Sequence, residues 1–237
     1  MNVYNIKCYF YSSREIVPFT YMDDMMKFLH VDVLGENNEF HDTISLYSVS
    51  PLFGSKKVNN GFIFNKGAIW IIRTPDKNIF KHFYKKLKYA IGNNLKIGLI
   101  LQSVDFNIDN FVNNKEKIIF KTSPVFLGDN KNKLSKKEHI TFKHGIETTT
   151  KKIKETFLGK INKLGYNINE ENFNVEFNMN NKNMKTKSIS FGNHYNVCTN
   201  NPEIIVTGNS DVIGLFYSLG IGKSTGCGFG FCFNIKN

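Results

Sequence analysis

The sequence predicts an α+β fold made of two split β-α-β units in tandem. Two observations carry this prediction. Apolar residues in the first half alternate with period two or recur at helical spacing in the order β-α-β-β-α-β, and the second half repeats that order more loosely. A chain of 237 residues is long enough for two such domains. Folding at this size buries roughly 70–75% of the extended chain's surface, so neither a disulfide nor a metal is needed.

The first half supplies the elements of one complete unit. A strand over "VYNIKCYFY" precedes the helix "FTYMDDMMKFLH", in which Phe19, Met22, Met26 and Leu29 recur at helical spacing. The segments "ISLYSVSPLF" and "GFIFNKGAIWIIRT" are predicted strands. Pro75-Asp76 opens a second helix, and "LKIGLILQSVDF" closes the unit as a strand.

The second half supplies a similar set of elements. Strands are predicted over "KIIFKTSPVFL", "NFNVEFNM", "TKSISFG", "EIIVTG" and "GFGFCFNIK", and "NFNVEFNM" and "TKSISFG" are joined by an Asn/Lys-rich turn. A polar loop "DNKNKLSKK" precedes an amphipathic helix over residues 143–164, and Ser210-Asp211 caps a second helix. The junction is predicted near residues 107–116, which divides the chain into domains 1–110 and 111–237.

The net charge and the cysteine spacing indicate which kinds of partner and cofactor this protein can bind. The formal net charge is +11, from 31 basic and 20 acidic residues. This excess favours a polyanion, and the alternative is a solvated surface that serves solubility. No cofactor or metal is indicated, because the four cysteines form no C-x-x-C pair and no histidine lies at zinc-ligand spacing. Without a secretory signal or an apolar run near 18 residues, we expect a cytoplasmic protein with no membrane span.

The segment "GIGKSTGCGFGF" (residues 220–231) contains Gly-Lys-Ser, the ending of a nucleotide-binding phosphate loop. A nucleotide-hydrolysing enzyme is argued against, because Tyr217 stands where that loop needs its first glycine. A helix also precedes the segment and a strand follows it, the reverse of the required order. Two Gly-x-Gly pairs separated by five residues remain. They predict a loop that cradles phosphate through its N–H groups, or a turn that packs two domains together.

The glycine pattern resembles the glycine-rich loop of the repeat-associated (RAMP) RNA-binding superfamily of CRISPR systems. Within it, "TSPV" from Thr122 and "HDTISLYSVSPLFG" from His41 resemble the repeat-processing endoribonuclease family, the sixth CRISPR-associated protein. The resemblance spans essentially the whole chain. It implies tandem ferredoxin-like (RRM-like) βαββαβ domains and binding of CRISPR repeat RNA. It also implies metal-independent cleavage into guide RNAs with 2′,3′-cyclic phosphate and 5′-hydroxyl ends, in a prokaryotic cytoplasm.

Such cleavage uses the substrate's 2′-hydroxyl as nucleophile, and histidine suits the acid and base roles because its pKa lies near neutrality. The resemblance implies that His41 is catalytic and that His30, at the end of the first helix, faces it. The alternatives are a solvent-facing His41 and a His30 favoured by the helix dipole. Some family members carry a lysine in the second strand, but "DTISLYS" holds none. Tyr47, Lys56 and Lys57 are the candidates for this third role.

The predicted RNA contacts lie in the glycine-rich loop and in two basic segments. They are Lys56, Lys185 and Lys187 together with Gly220, Gly222, Lys223, Ser224, Thr225, Gly228 and Gly230. Repeat RNA or guide RNA is the expected partner, with other CRISPR-associated proteins as further candidates, and the protein is a monomer or homodimer. A subunit that holds guide RNA in an interference complex without cutting it stays open as the alternative function.

Overall fold

The computed structural model describes residues 1–13, 16–36, 38–40, 44–110, 116–130, 138–191 and 194–236. The first half contains, in chain order, β1 (Asn2–Ser12), β2 (Val17–Pro18), α1 (Tyr21–Lys27), a π-helical segment (Phe28–Val33), β3 (Ser48–Val49), β4 (Lys56–Val58), β5 (Gly61–Ile63), β6 (Ala68–Thr74), α2 (Lys77–Tyr89) and β7 (Leu99–Asn110). The second half contains β8 (Lys117–Thr122), β9 (Asp129–Asn130), β10 (Glu138–His139), a 3-10 turn (Phe142–His144), α3 (Gly145–Lys163), a second 3-10 turn (Glu170–Asn172), β11 (Asn174–Phe177), β12 (Lys185–Phe191), β13 (His194–Asn200), β14 (Glu203–Thr207), α4 (Ser210–Leu219), a third 3-10 turn (Thr225–Cys227) and β15 (Cys232–Lys236).

Both halves form the same antiparallel sheet. The first sheet has the order β3-β6-β1-β7 and the second has the order β11-β14-β8-β15. If the four strands of each sheet are numbered along the chain, both orders are 2-3-1-4, and each sheet is accompanied by two helices. The predicted α+β class and its tandem ferredoxin-like units are therefore confirmed. The division at residues 1–110 and 111–237 stays a prediction, and it falls in the link between β7 and β8.

Each sheet packs its apolar residues into a separate core. The first core contains the fully buried Phe10, Trp70 and Phe83 among residues from β1, β6 and α2. The second contains Phe157 of α3 stacked on Phe216 of α4, with ring centroids 3.7 Å apart. Burying such large rings supplies much of the favourable free energy of folding for each domain.

Capping side chains determine where helices α2 and α4 begin. Asp76 accepts hydrogen bonds from the N–H groups of Asn78 and Ile79, which confirms the predicted start of α2. In α4 the cap lies one residue earlier than predicted, because the Asn209 side chain accepts from the N–H of Val212.

Several strand details differ from the prediction. The predicted Asn/Lys-rich turn joins β11 and β12, but the two strands do not pair with each other, because β11 pairs with β14 and β12 pairs with β13 in a separate two-stranded ribbon. Residues 107–110 extend β7 instead of starting a linker, because they pair with β1. The last strand begins only at Cys232, since Gly230 and Phe231 bond to Pro124 and Ser123 outside a ladder. Strand β4 pairs with β5 in a hairpin that carries Lys56 and Lys57.

The two domains meet at the C-terminal end of α4. Arg73 of β6 is buried and donates 2.9–3.0 Å hydrogen bonds to the carbonyls of Tyr217 and Cys232, and its guanidinium stacks 3.7 Å from the Tyr217 ring centroid. Asn5 of β1 accepts a third hydrogen bond from Arg73 at 2.8 Å. Ser48 of β3 donates to the carbonyl of Ser218. The first sheet thus binds the end of a helix from the second domain directly.

Replacing Arg73 with Ala is expected to lower the free energy of unfolding by about 2–6 kcal/mol. The substitution removes the Arg73 hydrogen bonds to the carbonyls of Tyr217 and Cys232, and each buried acceptor that loses its donor costs about 1–3 kcal/mol. Urea unfolding followed by circular dichroism measures the effect, with exposed Lys96→Ala as the matched control. An Arg73→Ala midpoint equal to that of the control would contradict this role.

Candidate functional site

A cavity of about 850 Å³ opens between the two domains. The first domain lines it with Asp23, Lys27, His30, Phe40, Ser45 and Tyr47. The second domain lines it with Lys152, Glu155 and Lys160 of α3 and with Lys223 and Ser224 of the glycine-rich loop. Because both domains contribute walls, the cavity exists only when they are packed together.

His30 reaches the cavity from a π-helical turn. After Lys27 the helix widens, and the N–H of Leu34 donates to the carbonyl of Leu29 five residues earlier. The Asn38 side-chain amide stabilises the turn by donating a 2.8 Å hydrogen bond to the His30 carbonyl. Single π-helical turns are rare and frequently occur at functional sites. The sequence predicted that the helix ends at His30, whereas three further residues follow in the π-helical form.

His30 and Tyr47 are in direct contact, with His30 Nε2 2.9 Å from the Tyr47 hydroxyl. Tyr47 is 2% exposed and packs its ring against Phe83 of α2. Burial raises the pKa of the Tyr47 phenol, and Cys227 nearby raises it further. The phenol therefore keeps its proton at neutral pH and can donate it to an unprotonated Nε2. In this way Tyr47 can fix both the orientation and the tautomer of the imidazole.

A buried lysine supports the same residues from the second domain. Lys160 is 2% exposed, and its ammonium donates to the carbonyl of Leu219 at 3.1 Å and to Thr225 Oγ1 at 2.9 Å. The Thr225 hydroxyl in turn donates to the carbonyl of Tyr47 at 3.1 Å. Burial lowers the pKa of the Lys160 ammonium to about 7, and Cys232 acts in the opposite direction. Two hydrogen bonds therefore connect Lys160 to the main chain of the His30 partner.

The glycine-rich loop lies against the first domain. A Cβ on Gly226 would come within 2.7 Å of Ser45 Oγ and 3.0 Å of the Tyr47 hydroxyl oxygen. Gly220 has a φ of 70°, and a Cβ there would lie 2.9 Å from the Gly230 carbonyl and 3.2 Å from Ser48 Cβ. Only glycine combines this backbone conformation with so close an approach. The loop thus packs the two domains together, which was one of the two predicted roles.

Side chains of the loop divide into buried and accessible ones. Thr225 is fully buried and committed to Lys160 and Tyr47, and Gly222, Gly228 and Gly230 are buried as well. The N–H of Lys223 is bonded to the Phe126 carbonyl. Lys223 is exposed and Ser224 half-buried, so these two present the polar side chains of the loop to the cavity.

The cavity is predominantly basic. Among the described residues, four lysines and two carboxylates line it. Lys152 Nζ lies 2.8 Å from Glu155 Oε2, and this hydrogen bond lowers the pKa of the Glu155 carboxyl. Lys27 and Lys223 are both exposed. A cavity with this balance attracts anions such as the phosphates of a nucleic acid.

The other predicted site residues lie elsewhere. His41 falls outside the described residues, but Ile44 and Ser45, three and four positions later, line the cavity. Lys56 and Lys57 lie on β4, and Lys57 Nζ lies 5.7 Å from the Phe19 ring centroid. Neither lysine lines the cavity. Lys185 and Lys187 are exposed on the β12–β13 ribbon, also away from the cavity lining.

Sequence reasoning missed the contribution of α3. Lys152, Glu155 and Lys160 belong to a helix that was predicted only as an amphipathic stripe. The position of Lys160 in the sequence could have indicated its burial, because it follows Ile153 by seven residues and precedes Leu164 by four. A lysine at that spacing lies on the apolar face of the helix, where a charged side chain needs partners.

Within the ranges that the structure describes, no group of three or more His, Cys, Asp or Glu side chains is placed to hold a metal ion. None of the helices in the described ranges combines the length and the apolarity that crossing a membrane requires.

Comparison with known proteins gives a family match over more than half of the chain. Residues 107–234 match the family described as CRISPR associated protein Cas6, C-terminal. A search of curated protein sequences found no match.

Solved structures share the fold over the full length. A CRISPR associated protein Cas6 superposes with a TM-score of 0.76 at 17% identity, covering 99% of this chain and 100% of the other. A Cas6-related protein from Pyrococcus furiosus gives 0.79 at 16% identity, with 99% of each chain covered. A RAMP protein described as binding different RNA substrates gives 0.79 at 14% identity, with both chains fully covered. At these identities the likeness concerns the fold.

The lowered pKa of Lys160 predicts that stability rises with pH. Between pH 7 and about 10.5, the usual lysine value, the unfolded chain holds a proton that the folded chain does not, so raising the pH favours folding. Below pH 7 both states are protonated and this dependence vanishes. Urea unfolding of the wild type and Lys160→Met at pH 6.5 and 9 tests this. The wild type should gain stability relative to the variant at pH 9, and an unchanged difference would refute the assignment.

Proposed function

Because the chain belongs to the Cas6 family of CRISPR-associated proteins, we propose that it binds CRISPR repeat RNA and cleaves the precursor transcript into guide RNAs. The observation that carries the proposal is the contact between His30 and Tyr47 on the wall of a lysine-lined cavity. The cavity presents the His30 imidazole, which the buried Tyr47 phenol orients, and lysine side chains that can bind a phosphate. Fold and family agree with this use of the cavity, and the chemistry rests on its residues.

The reaction needs a base for the 2′-hydroxyl and an acid for the departing 5′-oxygen. We propose His41 and His30 for these two roles. Tyr47 orients His30 through the contact between its hydroxyl and His30 Nε2. Attack of the 2′-oxygen on phosphorus expels the 5′-oxygen, which takes up a proton. The products are a 2′,3′-cyclic phosphate and a 5′-hydroxyl, and no step requires a metal ion.

The cation that steadies the crowded phosphorane is best supplied from the cavity lining. The second strand carries no lysine, and Lys56 and Lys57 lie outside the lining. Lys160 is buried and bonded to protein groups, and Lys152 is paired with Glu155. Lys27 and Lys223 are therefore the lysines best placed to approach a phosphate. Fixed cations at a developing charge act strongly where water is excluded.

Replacing His41 or His30 with Ala is expected to slow single-turnover cleavage by roughly 10²–10⁴-fold each, the usual contribution of a positioned acid or base. Affinity for the repeat RNA should stay close to wild type, since neither imidazole supplies a permanent charge. The measurement uses the repeat from the CRISPR array of the same genome, with EDTA present. His82→Ala, an exposed histidine on α2 that does not line the cavity, is the matched control.

The same experiment separates the two functions left open by the sequence. RNA that stays bound but uncut by the wild type in EDTA would support a guide-RNA-holding subunit instead of a nuclease. Cleavage at the wild-type rate by His41→Ala would remove His41 from the mechanism. Cleavage that requires added metal would overturn the metal-independent route.

Lys223→Ala is expected to weaken RNA binding and to flatten its salt dependence. Each phosphate neutralised on a single strand contributes about 0.7 to the slope of log affinity against log salt, so losing one contact should reduce the slope by that amount. Fluorescence anisotropy between 50 and 300 mM salt, roughly the range where this linkage is measured, gives the slope. Lys96→Ala, an exposed lysine outside the cavity, should leave it unchanged. An unchanged slope for Lys223→Ala would exclude a phosphate contact.

A further inference from the structure

A second cavity, of about 480 Å³, lies beside the first sheet, where β1 ends. Its side chains come from β1, the residue before β2, β5, the turn between β5 and β6, and β7, and they include Tyr11, Ile16, Asn65, Lys66 and Gln102. None of these residues lines the cavity that contains His30 and Tyr47. The volume falls within the roughly 300–1,000 Å³ typical of small-ligand sites.

A β-bulge places Gln102 in this second cavity. Tyr9 pairs with Ser103 and Phe10 with Leu101, so Gln102 has no partner on β1. Bulges occur preferentially near functional sites, where they redirect a side chain. Gln102 is exposed, and within the described ranges its amide forms no hydrogen bond. The strand therefore gives up one residue of pairing and presents a free amide at the cavity.

The opposite wall comes from a tight turn that requires glycine. Gly67 has a φ of 82°, and a Cβ there would lie 2.5 Å from the Phe10 carbonyl. This close approach presses the turn onto β1 and leaves Asn65 and Lys66 exposed beside the cavity. The turn thus contributes a second amide and a cation.

Tyr11 supplies an aromatic surface to the same cavity. Its side chain is 59% exposed, although it lies on a central strand of the sheet. Ile16 and Ile63 provide apolar walls. An exposed ring, two amides and a lysine are the groups by which proteins hold an unstacked nucleotide: the ring stacks on the base, amides bond its edge, and the cation takes its phosphate.

We propose that this second cavity binds one unstacked nucleotide of the RNA strand, with the base on Tyr11, its edge read by Gln102 and Asn65, and its phosphate at Lys66. The proposal rests on the proposed function, since the RNA is the strand whose scissile phosphate enters the His30 cavity. The second cavity therefore selects the RNA by sequence, away from the bond that is cut.

Tyr11→Ala should raise the Kd of a fluorescein-labelled repeat RNA by about 5- to 150-fold, the range for losing one base–aromatic stack. The cleavage rate at saturating RNA should stay at the wild-type value. Tyr89→Ala, which removes a tyrosine that is 78% exposed on α2, should change neither quantity. Thermal unfolding of each variant shows that the fold is intact.

A set of repeat RNAs, each with one abasic position, locates the nucleotide. One position should weaken binding to the wild type and have no further effect in Tyr11→Ala, because both changes remove the same contact. Gln102→Ala should relax the base preference at that position alone.

The outcomes separate this proposal from the function on which it rests. If the wild type binds and cuts the repeat but no position couples to Tyr11, the nucleotide site is overturned and the nuclease stands. If one position couples but no RNA is cut, the nuclease is overturned and the nucleotide site stands. If the wild type does not bind the repeat, both are overturned.

Discussion

Three consecutive main-chain carbonyls at the end of α4 hold this protein together. Tyr217 receives a hydrogen bond from Arg73, Ser218 from Ser48, and Leu219 from Lys160. A helix leaves its last carbonyls without partners inside the helix, and they form the negative end of its dipole. The buried Arg73 guanidinium, the buried Lys160 amine and the Ser48 hydroxyl donate to them here. Arg73 and Ser48 belong to the first sheet. The hydrogen bonds that satisfy the end of α4 therefore also join the two domains.

The candidate site depends on the same helix end. Lys160 bonds to Leu219 and to Thr225, Thr225 bonds to the carbonyl of Tyr47, and Tyr47 contacts His30. The path from the second domain to the half-buried imidazole therefore consists of direct hydrogen bonds and the buried Tyr47 side chain. Groups held in this way need little reorganisation when charge develops in a reaction, and such preorganisation is a large part of electrostatic catalysis. The packing of the domains and the geometry of the site share one cause.

Sequence periodicity recovered the parts of the fold that local patterns determine. The strand around Cys8 and the helices that begin after Asp76 and Asn209 have apolar spacing or capping residues that act over a few positions. The partner of β12 could not be read in this way, because pairing depends on side chains distant along the chain. The π-helical turn at His30 was also missed, since widening a helix by one residue leaves no periodic signature. Resemblance to a family, not periodicity, pointed to His30 and Tyr47.

The spacing of the glycine-rich loop did not by itself decide between two roles. Its spacing predicted either a phosphate cradle or a turn that packs the domains, and the buried glycines lie against Ser45, Tyr47 and Met22 of the first domain. A loop that fits so closely brings Lys223 and Ser224 to the cavity edge while hiding Thr225.

Burying Lys160 has an energetic cost, because its ammonium loses its hydration and, within the described ranges, no carboxylate forms an ion pair with it. An apolar side chain would remove the cost but leave Leu219 and Thr225 without their donor. Thr225, whose hydroxyl donates to the Tyr47 carbonyl, would then lose the group that positions it, so buried Lys160 is better explained by the site that it organises than by the stability of the fold.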